Sequence, residues 1–104
     1  MKGTNIGEFE ELVLLTIAAL VNDAYSVAIC DDLLKRTGRD AKLGVVHAVL
    51  NRLEEKGLVK SMLGEATQAR GGNRKRYYTV TNAGKSALLK SKEMRDQLWI
   101  VIPN

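Results

Sequence analysis

Four basic residues, Arg70, Arg74, Lys75 and Arg76, crowd around Gly71, Gly72 and Asn73. Cations gathered on a turn, rather than spread over a helix face, suit a polyanionic partner; the plainer alternative is a solvated surface loop. A second set of residues, Lys42, Gly44, Val45, His47, Ala48, Asn51 and Arg52, forms a stretch short of bulk at its start, which is unusual for a face that meets only water. Catalytic chemistry has little to work with. There is one cysteine, Cys30, and one histidine, His47, so neither a disulfide framework nor a metal site of ordinary ligand count can be assembled within one chain. No nucleophile–base pair and no glycine-rich phosphate loop is present. Asp31, Asp32, Glu54 and Glu55 read as surface charges. The chain is therefore expected to hold no catalytic residues, no metal and no cofactor.

The charge is unevenly distributed. The net value is +4, but residues 1–38 carry net −3, residues 39–57 net +1, residues 58–80 net +4 and residues 81–104 net +2. With 104 residues, 45% of them hydrophobic, the chain suits one small domain with one core, to which oligomerisation would add stability. The apolar run from Leu12 to Val21 is too short to span a bilayer. Glu8, Glu10 and Glu11 precede it where a signal peptide would carry positive charge. A soluble, reduced, cytoplasmic protein is the expectation.

The elements that must position these groups follow from periodicity. Residues 8–21 read as a helix, with Phe9, Leu12, Val13, Ile17 and Leu20 at helical spacing and glutamates at the positive end of its dipole. Its apolar band is too wide for one face, since Leu12 to Leu15 cover a whole turn, and this hints at a second chain. A second helix is expected over residues 26–37, with Val27, Cys30, Leu33, Leu34 and Thr37 inside and Gly38 as its stop. A third is expected over residues 43–56, with Leu43, Val46, Leu50 and Leu53 inside and Gly57 as its stop. Leu58 to Glu65 and Arg74 to Val80 suit two strands of a hairpin with a long basic tip. Tyr77 and Tyr78 alternate across the second strand, so one belongs to the core. Thr81 then caps a last helix over residues 82–102, running through Ala87, Leu88, Met94 and Leu98. It ends in five consecutive apolar residues, Leu98 to Ile102, which one small core cannot hide.

Three helices, a hairpin and a helix make a mainly α fold: a winged helix-turn-helix over residues 1–80 with an added C-terminal helix over residues 81–104. In that arrangement the third helix enters the DNA major groove and the hairpin is a wing that reaches phosphates or the minor groove. The small residues Gly44, Val45 and Ala48 then allow close approach, with Val45 or Ala48 against a thymine methyl and Asn51 or Arg52 at base edges or phosphates. His47 is either a further DNA contact or an idle exposed imidazole. Tyr25 either packs against the third helix or offers its hydroxyl to a phosphate. Cys30 is either a small buried hydrophobe or a redox sensor.

Gly7–Leu12, Ala24-Tyr25 through Ile29, Leu43-Gly44, Leu50 with Arg52-Leu53-Glu54, Lys56–Val59, and Gly72 through Arg76-Tyr77-Tyr78 with Thr81 and Ala83-Gly84 together resemble PadR-type transcriptional regulators. The resemblance covers about residues 7–90 and is to the short members that end in a single C-terminal helix. It implies a dimeric winged-helix repressor that releases double-stranded DNA when a small molecule binds. His47 stands where the family usually has tyrosine. The surplus apolar residues Phe9, Leu12, Leu15, Met94, Leu98, Trp99 and Ile102 are the expected dimer interface. Trp99 is either a packing residue there or, with Leu98 and Ile102, a platform for a flat aromatic effector, since some relatives carry an aromatic near this position. A winged-helix protein-interaction module without DNA binding is the competing reading; the basic hairpin tip and the small-residue start of the third helix speak for DNA.

Overall fold

Three acidic side chains, Glu8, Glu10 and Glu11, start α1 (Glu8–Ala19) in the computed structural model, which describes residues 6–64 and 74–103. The Gly7 amide donates to Glu10 Oε1 at 2.9 Å, satisfying a backbone donor that the helix start leaves open. Val13, Leu14 and Ile17 are buried, while Phe9 and Leu12 are half-buried against the same core. Of the turn Leu12–Leu15 only Leu15 is exposed, so the band expected to need a second chain narrows to one residue. The helix also stops two residues earlier than its periodicity suggests, because Asn22 adopts a left-handed conformation (φ 63°) that turns the chain.

α2 (Ser26–Thr37) and α3 (Leu43–Glu55) pack on α1 and on each other. α2 is rotated from the expected stripe. Ile29 and Leu33, one turn apart, enter the core, whereas Val27, Leu34 and Thr37 are exposed and Cys30 is half-buried. Gly38 ends the helix at φ +75°, a conformation that costs a residue with a Cβ. α3 buries Val46, Val49, Leu50 and Leu53, and the expected inner residue Leu43 is exposed because it begins the helix at the rim of the core. Gly57, at φ +77°, then reverses the chain.

β1 (Val59–Leu63) and β2 (Arg76–Val80) form an antiparallel pair with Val59 opposite Val80 and Leu63 opposite Arg76. Both strands are shorter than expected. Leu58, Arg74 and Lys75 lie outside the ladder, and the hairpin tip, with Arg70 and Asn73, lies outside the described residues. Tyr78 is the core tyrosine and Tyr77 is half-buried. The Tyr78 amide donates to Ala24 O at 2.9 Å, tying the hairpin to the α1–α2 connection.

α4 (Asn82–Ile100) begins at Thr81, whose hydroxyl oxygen accepts from the Gly84 amide at 3.1 Å and donates to Gly57 O at 2.7 Å. Gly84 is a position of close approach: a Cβ there would run into the Leu58 carbonyl and approach Val80 Cγ1 to 2.7 Å. Only Gly84 and Ala87 of this helix are buried, and every residue from Lys92 to Pro103 is exposed. The helix ends at Ile100, two residues short of the expected boundary, and its apolar end projects from an elongated molecule of 57 × 29 × 21 Å. No helix among the described residues is long and apolar enough to cross a membrane.

Candidate nucleic-acid interface

Burial of Val46, Val49, Leu50 and Leu53 turns the opposite side of α3 outward. Gly44, Val45, His47, Ala48, Asn51 and Arg52 are all exposed there, and Lys42, exposed as well, stands at its N-cap. A Cβ on Gly44 would meet nothing within 4 Å, so no contact among the described residues requires a glycine at that position.

The hairpin closes a groove of about 660 Å³ against this face. It is lined by Tyr25 and Val27 at the start of α2, His47, Asn51 and Glu54 on α3, and Leu63, Arg74, Lys75 and Arg76 on the hairpin. Each of the three cations is braced. Arg76 Nη1 donates to Ser61 Oγ at 3.0 Å, and the Ser61 hydroxyl donates to Glu54 Oε2 at 2.8 Å. Arg74 Nε donates to Gly64 O at 2.9 Å. Lys75 Nζ lies 4.2 Å from the centroid of the Tyr25 ring, within cation–π range, and Tyr25 meets Tyr77 edge-on at 5.7 Å. Tyr25 thus packs on the hairpin. All three cations remain exposed, and among the described residues Glu54 is the one carboxylate lining the groove. Burial, and Glu54 nearby, push the Tyr78 hydroxyl pKa up, with Arg76 opposing. Burial, and Asp31 beside it, push the Cys30 thiol up. That keeps the thiol protonated and favours its packing reading over a redox role.

Sequence reasoning missed what lies beneath α3. Glu10, only 8% exposed, accepts from Lys56 Nζ at 3.1 and 3.2 Å and from Arg52 Nε at 3.4 Å. Burial opposes ionisation of this carboxyl, but the Gly7 amide, Lys56 and Arg52 outweigh it and hold its pKa below the ordinary value. The G-x-x-E pattern of Gly7 and Glu10 marks a helix start; nothing in the sequence marks partners 42 and 46 residues away.

A second groove, of about 510 Å³, runs between α1 and α4. Leu15, Leu88, Leu89 and Trp99 line it, together with Glu11, which accepts from Arg95 Nη2 at 2.8 Å. Of the expected effector platform it includes Trp99; Leu98 and Ile102 do not line it. Met94, Leu98 and Trp99 are exposed on α4, and Ile102 is exposed just beyond its end. Phe9 is half-buried, with the Arg39 guanidinium 5.2 Å over its ring.

A helix-turn-helix formed by α2 and α3, followed by a two-stranded hairpin and a C-terminal helix, defines a winged-helix protein. Residues 13–90 match the family model described as the transcriptional regulator PadR-like family, and the chain belongs to that family. It is a transcriptional regulator by family, not an enzyme. The chain is similar to a PadR family transcription regulator from Clostridium difficile R20291, with 30% identity, coverage of 90% of this chain and 94% of the other, and a TM-score of 0.70. It is also similar to a PadR-like transcription factor from Bacteroides fragilis, at 25% identity, 86% and 82% coverage and a TM-score of 0.73. An uncharacterised protein from Lysinibacillus sphaericus is 31% identical over 84 residues, 79% of this chain and 72% of that one.

Proposed function

We propose that this regulator binds double-stranded DNA sequence-specifically as a two-fold dimer and acts as a repressor relieved by a small flat aromatic effector. The observation that carries the DNA reading is the shared groove. His47 and Asn51 of α3 and the cations Arg74, Lys75 and Arg76 line it together, while Lys42, Gly44, Val45, Ala48 and Arg52 are exposed but lie outside it. α3 supplies amide and imidazole groups for base edges, through Asn51 and His47, while the wing supplies charge for phosphates. Lys42 and Arg52 add charge at the two ends of the exposed α3 side, and Tyr25 braces Lys75 from beneath.

The partner subunit covers the projecting end of α4. Trp99 is 71% and Ile100 80% exposed, and so continuous an apolar end is seldom left in water. Leu15 lines the groove beside Trp99, and Met94 is exposed one turn before Leu98 on α4. The groove beside Trp99 supports the effector reading, because an indole face offers stacking to a planar ring. An effector that prefers one spacing of the two recognition helices over another then changes DNA affinity.

Selection of duplexes from a random pool, followed by fluorescence anisotropy, tests the DNA reading. The wild-type protein is expected to enrich a defined sequence, and Asn51→Ala to lose about 1–3 kcal/mol of discrimination at one base pair. Recovery of unenriched random sequence would sink it.

A further inference from the structure

Of the six exposed residues on the outward side of α3, Arg52 alone is tied by its side chain to another helix among the described residues, through Glu10 on α1. Lys56, one turn further on, is bound to both oxygens of the same carboxylate. Glu10 is therefore a buried anion that meets α3 at Arg52 and again at its C-cap, Lys56, 4 residues on. A helix held by apolar contacts alone can rotate slightly about its axis; a close ion pair from Lys56 and a longer one from Arg52 to a buried carboxylate oppose that rotation. The bond to Arg52 uses Nε, so its two terminal nitrogens are not spent on Glu10, and the side chain stays 54% exposed. Such prior anchoring reduces the side-chain entropy lost when the group meets a ligand.

We propose that Glu10, through its hold on Arg52 and Lys56, is a positioning residue that sets the sequence discrimination of the recognition helix. The inference rests on the reading of α3 as the element that meets DNA. A neutral residue at position 10 removes the charge that holds Arg52 at the edge of the DNA-facing surface. A cation no longer fixed in place meets phosphates at any sequence. Discrimination then falls even where total affinity does not.

Glu10→Gln is the suitable variant, since glutamine still accepts from the Gly7 amide and so retains the helix start. Affinity is measured for a duplex that the wild-type protein selects from a random pool and for a scrambled duplex of equal composition, across a salt series. The specific-to-scrambled ratio is expected to fall about tenfold, as for coupled neighbouring groups, and the salt slope on scrambled DNA to steepen by about 1 per subunit. In an Arg52→Gln background the same Glu10 substitution should change the ratio far less. Arg52→Gln alone should also lower the ratio, and this arm decides the matter if Glu10→Gln does not fold. An unchanged ratio in both single variants, or equal loss on both duplexes with an unchanged slope, overturns the proposal. Failure of the wild-type protein to select any sequence refutes the DNA reading itself, a result separable from these.

Discussion

Single residues carry more of this structure than their types announce. Gly84 has no Cβ because the Leu58 carbonyl and Val80 occupy its place where α4 meets the hairpin. Gly84→Ala should therefore cost about 1–3 kcal/mol through overpacking, visible as a melting point lower by roughly 5 °C or more; an unchanged melting point would contradict the close packing. Glu10 makes a prediction with a sign. Its pKa is held below the ordinary value of 4.5 in the folded chain, so its stabilisation is complete above the unfolded value and is lost as pH falls through the folded one. Urea midpoints of wild type and Glu10→Gln should differ at pH 6 and converge as pH falls below the folded-state value, and a constant gap would count against the ion pairs. In the sequence Glu10 reads only as one of three acids at a helix start. Its burial depends on α3 packing across α1, a tertiary fact that local pattern does not contain. The outward set on α3 was legible because Val46, Leu50 and Leu53 mark the opposite side at helical spacing.

Elements were legible where caps and stops marked them. Gly38 closes α2, and Thr81 opens α4. Of the expected inner face of α2, Leu33 is buried and Cys30 half-buried, but the rest was not legible. Val27 and Leu34 are as apolar as Ile29 and Leu33, and which pair enters the core depends on the angle at which α2 crosses its neighbours. The extent of the strands was obscured in the same way, since Arg74 and Lys75 continue the sequence pattern of β2 but pair outside its ladder with Gly64 and Tyr25. α1 acts as an electrostatic hub: Glu8 meets Arg39 at 2.8 Å, Glu10 meets α3, and Glu11 meets Arg95 of α4. Exposed pairs such as the first contribute little stability, but together they join the helix-turn-helix to α4. The wing should act through charge. Three or four phosphates neutralised by each subunit would give log K against log salt a slope of about −5 to −7. Arg76→Ala should weaken specific and non-specific binding alike and lower that slope by about 1 per subunit. Loss confined to one DNA sequence would instead make Arg76 a reader of bases.

At the scale of the whole molecule, the projecting apolar end of α4 was foreseen from Leu98 to Ile102, because no small core can hide five such residues in a row. The proposed dimer assigns a second copy of the chain as its occupant. Trp99, the only tryptophan, reports on it directly. Planar aromatic compounds should quench its fluorescence, and Trp99→Ala should lose that binding while remaining a DNA-competent dimer; dissociation into monomers would mark Trp99 as a packing anchor instead. A two-fold dimer sets two α3 helices about one DNA turn apart, roughly 34 Å, so it reads an inverted repeat. Hydroxyl-radical footprinting on a duplex selected by the wild-type protein tests this most directly. Two protected patches are expected, related by two-fold symmetry and centred about one helical turn apart, with protection lost together as salt rises. A single patch, or protection that does not depend on sequence, would contradict a dimer that reads DNA through paired α3 helices.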